Sequence, residues 1–204
     1  MTSTMAGRKQ QKTLIRTQGH ERRRTLEDKD SISNQIVTRF LALPEYEKAR
    51  TVMFYVDVRA EVRTRFALPA AIASDKRIIV PYCVDGILEL FLLEEMDELE
   101  VGMYKILEPR MDLRGQAGKR VDPSELDLVM VPGVAFDARG GRTGHGNGYY
   151  DKLLALVRPE IPLIAIAFDV QIFPEVPMRK HDIFMDKVVT ETTVHVGHGR
   201  DQNA

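Results

Sequence analysis

Residues 126–157 of the chain read LDLVMVPGVAFDARGGRTGHGNGYYDKLLALV. The apolar run from Leu126 to Val131 predicts a short buried strand. Six glycines follow between Gly133 and Gly148, and this concentration of glycine predicts a loop, called the glycine-rich loop below. From Tyr149 onward apolar side chains return at helical spacing, on the face formed by Tyr150, Leu153, Leu154 and Val157. The stretch therefore predicts a strand, a glycine-rich loop and a helix in succession.

The glycine-rich loop has the composition of an anion-binding site. Backbone without a Cβ atom can approach an anion closely, and the N–H groups of a helix's first turn favour negative charge. With Arg142 and His145 in the same loop, a phosphate-bearing ligand is predicted. The spacing Gly144-x-Gly146-x-Gly148 matches neither the dinucleotide fingerprint nor the Lys-Ser/Thr phosphate loop. Composition alone leaves a flexible surface loop as an equal alternative.

The overall composition is that of an ordinary globular domain. The 204 residues are 44% hydrophobic and 29% charged, which suits one domain with a proper core. The net charge of −1 gives no general attraction to nucleic acid or to an anionic membrane. No apolar run approaches the roughly 18 residues of a membrane span, and the basic N-terminus lacks a secretory apolar core. We therefore expect a cytoplasmic protein whose anion site is local.

Strand and helix patterns alternate along the rest of the chain. Strands are predicted over 49–56, 76–82, 87–93 and 163–168, and helices over 25–41 and 61–74. This alternation predicts an α/β fold, with a layered, mostly parallel sheet flanked by helices in a single domain spanning residues 11–192. Residues 1–10 and 193–204 are expected to be disordered tails. The single cysteine, Cys83, excludes an internal disulfide and is expected to be packed and inert.

Two further places in the sequence are candidate binding sites. Lys12 and Arg16 are four residues apart, so on a helix they share one face, although a solvated basic helix is the alternative. Gly19 is an unfavourable residue inside such a helix. Glu61 follows the carboxyl end of the predicted strand 49–56, where ligands bind in open α/β sheets.

The central motif resembles the signature of a known family. Pro-Gly-x-x-Phe-Asp at 132–137, followed by Gly-x-Arg-x-Gly-x-Gly-x-Gly-Tyr-Tyr-Asp at 140–151, is similar to the 5-formyltetrahydrofolate cyclo-ligases in order and spacing. The resemblance spans roughly residues 12–191 and includes Pro-x-x-x-His-Asp at 177–182. Arg179 departs from the pattern, because a glutamate is usual at its position.

The resemblance implies a definite reaction. In this family ATP phosphorylates the formyl oxygen of 5-formyltetrahydrofolate, and N10 then attacks the activated carbon. Phosphate leaves as the ring closes to 5,10-methenyltetrahydrofolate, so ADP and phosphate are the by-products. The implied ligands are 5-formyltetrahydrofolate, ATP as co-substrate and Mg²⁺, and the implied state is a monomer.

The resemblance also implies site residues. Catalytic positions match Arg142, Lys12 and Tyr150, and the magnesium carboxylates match Asp151 and Asp182. The residues that match ATP-binding positions are Lys12, Arg16, Arg142, Thr143, Gly144, His145, Gly146, Asn147, Gly148, Tyr149 and Tyr150. The residues that match substrate-binding positions are Val56, Glu61, His145, Gly146, Asn147, Gly148 and Tyr149.

Two other functions use similar features. A sugar-phosphate isomerase on a related α/β sheet would combine a glycine loop with carboxylates and would need a general base, but neither ATP nor magnesium. A folate- or nucleotide-binding module would bind without turnover. Hydrolysis of ATP only in the presence of 5-formyltetrahydrofolate distinguishes the cyclo-ligase from both.

Overall fold

The computed structural model describes residues 5–102, 106–180 and 182–200. Its α-helices are α1 (Met5–Thr25), α2 (Lys29–Leu41), α3 (Pro44–Lys48), α4 (Leu68–Ile72) and α5 (Tyr149–Leu154). Its strands are β1 (Thr51–Met53), β2 (Arg77–Val84), β3 (Ile87–Leu93), β4 (Leu99–Val101), β5 (Leu107–Pro109), β6 (Arg120–Val121), β7 (Leu128–Val131), β8 (Ala135–Asp137), β9 (Arg142–Thr143), β10 (Leu163–Ile166), β11 (Ile172–Phe173), β12 (Lys187–Val189) and β13 (Val194–Val196).

The main sheet has eight strands in the order β13-β12-β10-β7-β1-β2-β3-β6. Its five central strands, β12, β10, β7, β1 and β2, are parallel, whereas β13, β3 and β6 join antiparallel at the two edges. The predicted α/β fold with a mostly parallel sheet is therefore confirmed. A smaller sheet has the order β11-β8-β9, and β4 pairs with β5.

Helices cover the main sheet on both faces. Successive residues of a strand point to opposite faces, and they divide here between two apolar clusters, as Val52 and Met53 of β1 illustrate. Helix α2 contributes Phe40 to the cluster that contains Val52, and α5 contributes Leu154 to the cluster that contains Met53. Strands β7 and β10 are buried along their whole length, which explains their unbroken apolar sequences.

The predicted helix over 61–74 is wrong in its first part. A 3-10 turn covers Arg65–Ala67, and α4 follows with Pro69 in its first turn, where the missing proline N–H breaks no helical hydrogen bond. The preceding loop is held by the buried Asp57 carboxylate, which accepts the Thr64 and Arg65 N–H groups at 2.9 and 3.0 Å. That side-chain contact takes the place of a first helical turn.

Both predicted tails are ordered where the structure describes them. Helix α1 begins at Met5, so the prediction for 1–10 is wrong for 5–10, and residues 1–4 lie outside the described residues. The prediction for 193–204 is wrong for 193–200, because β13 pairs with β12 and the His198 N–H donates to the Arg139 carbonyl at 2.8 Å. Residues 201–204 lie outside the described residues.

Gly19 explains how α1 docks on the fold. The helix continues through Gly19, and a Cβ atom there would lie 2.6 Å from the Val134 carbonyl oxygen. Glycine therefore permits a backbone-to-backbone approach that places α1 beside β8 and the glycine-rich loop. No helix among residues 5–102, 106–180 and 182–200 is both long enough and apolar enough to cross a membrane.

Candidate active site

A cavity of about 570 Å³ lies at the carboxyl ends of the parallel strands. Residues that follow β1 and β7, together with the last residues of β2, form its floor, and α1 and the glycine-rich loop form its walls. This is the edge of an open α/β sheet at which ligands bind. The structure brings every described site residue of the sequence analysis to this one cavity: Lys12, Arg16, Val56, Glu61, Arg142, Thr143, Gly144, His145, Gly146, Asn147, Gly148, Tyr149, Tyr150, Asp151 and Asp182.

The glycine-rich loop is more ordered than its composition predicts. It contains β8 and β9, and the β9 residues Arg142 and Thr143 are buried, which contradicts the flexible surface loop. Residues 144–148 form an exposed turn, which leads into α5. Gly146 and Gly148 have φ angles of +106° and +71°, a region that side chains with a Cβ atom rarely adopt. Glycine is therefore required by the path of this turn.

Helix α1 supplies a basic wall to the cavity. Lys12 and Arg16 lie on one face, as predicted, and both line the cavity. The Arg16 Nε donates to the Gly144 carbonyl at 2.8 Å, which ties the 144–148 turn to the helix. The buried Lys12 ammonium pairs with the Asp182 carboxylate, and Asp182 also accepts the Arg179 N–H at 2.6 Å.

Arg142 forms a second cation–carboxylate pair in the same cavity. Its Nη2 donates to Asp151 Oδ1 at 2.6 Å, and its Nη1 donates to the Pro132 carbonyl at 3.2 Å. The Arg142 side chain is 4% exposed, whereas that of Asp151 is 44% exposed. The guanidinium carbon lies 5.8 Å from the centre of the Tyr150 ring. A buried, fixed cation is thus presented to the cavity beside an accessible carboxylate.

Glu61 is a buried carboxylate that also lines the cavity. Its Oε2 accepts the Val58 N–H at 3.2 Å, and its Oε1 lies 3.3 Å from His145 Nε2. Burial, followed by the nearby Glu61 charge, raises the pKa of both Tyr55 and Tyr150 above the usual tyrosine value. Both hydroxyls therefore remain protonated at neutral pH and are hydrogen-bond donors, and that of Tyr55 donates to the Val62 carbonyl at 3.0 Å.

Some cavity residues were missed by the sequence analysis. Cys83 is exposed and lines the cavity, so the prediction that it is packed is wrong. Cys83 is the last residue but one of β2, and the side chains at this end of the strand border the cavity. Tyr55 and Tyr82 also line the cavity, and nothing in the local pattern of their apolar strands distinguishes them from core residues. His181, the histidine of the second motif, lies outside the described residues.

Comparisons with known proteins agree on one family. The sequence profile of the 5-formyltetrahydrofolate cyclo-ligase family matches residues 8–191. A probable 5-formyltetrahydrofolate cyclo-ligase of Schizosaccharomyces pombe is 31% identical over 180 residues, covering 81% of this chain and 86% of its own. The 5-formyltetrahydrofolate cyclo-ligase of Escherichia coli strain K12 is 29% identical over 180 residues, covering 85% and 97%. The NMR structure of Aquifex aeolicus 5,10-methenyltetrahydrofolate synthetase superposes with a TM-score of 0.79 at 31% identity, covering 92% and 93%.

Proposed function

The chain belongs to the 5-formyltetrahydrofolate cyclo-ligase family, and we propose that it converts 5-formyltetrahydrofolate to 5,10-methenyltetrahydrofolate with ATP and Mg²⁺. One observation carries this proposal beyond family membership. The charged residues that line a single cavity include three of the predicted cations and three of the predicted carboxylates, namely Lys12, Arg16, Arg142, Glu61, Asp151 and Asp182. These groups suit an anionic phosphate chain together with a donor-rich ring.

The reaction needs the formyl oxygen to become a leaving group. That oxygen attacks the γ-phosphorus of ATP, and the bond between the γ-phosphorus and its bridging oxygen breaks to release ADP. N10 then attacks the formyl carbon and loses its proton, and the carbon–oxygen bond breaks to release phosphate. The product is the methenyl ring. Because phosphoryl transfer depends mostly on positioning and charge neutralisation, the protein needs no covalent nucleophile.

The basic residues suit the phosphates of ATP. Lys12 and Arg142 are buried cations whose carboxylate partners face the same cavity. A bound phosphate chain would take up both cations through charge-assisted hydrogen bonds, Arg142 in a bidentate manner. The N–H groups of the 144–148 turn add further donors, since glycine leaves them accessible.

The two carboxylates suit Mg²⁺. Asp151 and Asp182 would hold the ion, because Mg²⁺ takes one or two carboxylates and fills the rest of its shell with phosphate oxygens and water. Within the described parts of the chain, no cluster of three or more His, Cys, Asp or Glu is grouped to hold a metal by itself. The donor set therefore fits an ion that arrives with the nucleotide. When bound, the ion supplies charge neutralisation on the transferred phosphoryl group.

Glu61 and its neighbours in the cavity suit the folate. The Glu61 carboxylate can accept hydrogen bonds from the N–H groups of the pterin ring, and Val56 offers an apolar surface beside it. Tyr149 and His145 border the same space. The Tyr150 hydroxyl is protonated and its ring lies beside the Arg142 guanidinium, so it can donate a hydrogen bond to an oxygen of a ligand in the cavity.

Absorbance at the methenyl-folate band tests this proposal. Purified protein with 5-formyltetrahydrofolate, Mg²⁺ and ATP should produce a rise that is absent when ATP or Mg²⁺ is left out. ATP hydrolysis measured in parallel should require the folate. A flat trace from folded protein that still binds the folate would replace the enzyme by a binding module, and ring closure without ATP would contradict the phosphorylated intermediate.

A further inference from the structure

Arg23 is a buried arginine on α1 that lies behind the wall of the active-site cavity. It is 3% exposed and is not among the described residues that line the cavity of 570 Å³. It borders instead a neighbouring cavity of about 470 Å³. A ligand in the active-site cavity is therefore contacted by Glu61 and not by Arg23, so any influence of Arg23 on that ligand must pass through another residue.

The contacts of Arg23 converge on two parts of the active-site wall. Its Nη1 donates to the Gly133 carbonyl at 3.1 Å and lies 4.0 Å from Glu61 Oε1. Its Nη2 lies 3.3 Å from His20 Nδ1. Its Nε is buried and has no hydrogen-bond partner among the residues that the structure describes. The guanidinium is thus committed to Gly133 and Glu61 although one of its donors stays unused.

A buried guanidinium needs a compensating charge. Burial lowers the pKa of Arg23, and the charge of Glu61 opposes that effect. Arginine nevertheless stays ionised in proteins, so the cation is permanent. Removing one partner of a buried ion pair leaves the other charge uncompensated and costs more than an exposed pair would. Glu61 would then be a buried carboxylate whose ionised form has lost its neighbouring cation.

The other contacts of Glu61 do not replace Arg23. The Val58 N–H is a neutral donor to Oε2. His145 reaches Oε1 from the 144–148 turn, and its side chain is 42% exposed. Arg23, by contrast, is held on a long helix that Gly19 packs against Val134. It is a cation of fixed position beside Oε1.

We propose that Arg23 is a positioning residue for Glu61. It holds the Glu61 carboxylate directed into the active-site cavity, and so it sets the affinity for the pterin ring without touching it. This inference rests on the proposed function, because that function assigns the pterin to Glu61. The same guanidinium donates to the Gly133 carbonyl, but that carbonyl also accepts a hydrogen bond from Gln171 Nε2 at 3.0 Å, so it keeps a partner without Arg23 and only the Glu61 carboxylate loses its cation.

Direct binding and turnover of Arg23→Met test the proposal. Calorimetric titration with 5-formyltetrahydrofolate alone should show Kd raised about tenfold or more, as expected for breaking a buried charge pair. In the assay, KM for the folate should rise in parallel while KM for ATP and kcat stay within about twofold.

Matched variants separate positioning from general stability. Arg22→Met removes the adjacent arginine, which contacts the Val170 carbonyl and the Phe173 ring instead; it should lower the melting temperature and leave the folate Kd unchanged. Arg23→Lys keeps the charge and should recover part of the affinity. In Glu61→Gln, the further change Arg23→Met should weaken folate binding by no more than about twofold, since Arg23 acts through the carboxylate.

The outcomes are distinguishable from those of the proposed function. Wild-type turnover with an unchanged folate Kd in Arg23→Met would overturn the positioning role and leave the cyclo-ligase intact. Equal increases in the KM values for folate and ATP, or additive effects of the two substitutions, would assign Arg23 a structural role only. Folate binding without turnover would refute the proposed reaction while the Kd comparison still tests Arg23. No folate binding by the folded wild type would overturn both.

Discussion

Arg142 Nη2 and Asp151 Oδ1 are 2.6 Å apart, and this ion pair joins β9 to α5 across the 144–148 turn. Lys12 and Asp182 form the corresponding pair between α1 and the segment that precedes β12. Each pair combines a cation suited to phosphate with a carboxylate suited to Mg²⁺. Within each pair the cation and the carboxylate neutralise each other. Binding of a metal–nucleotide complex would give each cation a phosphate and each carboxylate a metal ion as its new partner, and the charges of the wall residues would not change.

Asp151→Asn tests the carboxylate of the first pair. The amide keeps an acceptor for Arg142 but loses the charge that the proposed function assigns to Mg²⁺, so kcat should fall by about 10²–10³-fold while the folate Kd changes little. Turnover at several Mg²⁺ concentrations and calorimetry measure the two effects. Asp112→Ala, which removes an exposed carboxylate paired with Arg110, is the control and should behave as the wild type. An unchanged kcat in Asp151→Asn would end the magnesium role.

Gly148→Ala tests the conformation of the 144–148 turn. Gly148 has φ of +71°, and no atom of the described residues would lie within 4 Å of an added Cβ, so alanine is disfavoured by the backbone alone, at a cost of about 1–2 kcal/mol. We expect that loss in urea unfolding together with a higher KM for ATP. Gly115 has a nearly identical φ of +79° and equally open surroundings. The control variant Gly115→Ala should therefore lose similar stability without any change in the KM for ATP. If both variants kept the wild-type KM for ATP, the turn would not bind the nucleotide.

Gly19→Ala sets helix propensity against packing. Alanine is favoured in a helix by about 1 kcal/mol over glycine, but its Cβ would lie 2.6 Å from the Val134 carbonyl oxygen, and such overpacking costs about 1–3 kcal/mol. The backbone contact should prevail, giving a net loss of stability and a higher KM for ATP as Lys12 and Arg16 move. Gln18→Ala, an exposed neighbour, should be neutral or slightly stabilising. If Gly19→Ala were more stable than the wild type, α1 would pack less closely against Val134 than the structure shows.

The lowered pKa of His20 predicts that the protein loses stability in acid. Burial lowers its pKa from 6.5, and the charges of Arg23, His145, Arg16 and Arg59 lower it further. The folded state therefore binds fewer protons than the unfolded chain, so stability is lost as the pH falls from about 6.5 toward the lowered pKa. Urea unfolding at pH 7.5 and pH 5.5 should show a smaller acid effect in His20→Gln than in the wild type. His195→Gln, on the edge strand β13, is the control; an equal acid effect in all three proteins would contradict the assignment to His20.

Much of the fold follows from patterns that are local in the chain. Some elements follow from residues that are close together in the sequence. These are the apolar runs of β7 and β10, the helical spacing of apolar residues in α2, and the glycine-rich loop. The errors lie where a distant group decides the conformation. Asp57 replaces the first turn of the predicted helix over 61–74, and β12 converts the predicted C-terminal tail into a strand.

The site divides in the same way. The sequence by itself determined which chemical groups are present: a turn that requires glycine, cations spaced on one helix face, and carboxylates beside the motifs. Only the tertiary structure decided their partners, because a pair such as Lys12 and Asp182 is separated by 170 residues and meets only when the order of the parallel strands brings both segments to one edge of the sheet. The burial of Arg23 behind Glu61 is likewise a product of helix docking, since a basic run on α1 has the same sequence whether its side chains face water or a carboxylate.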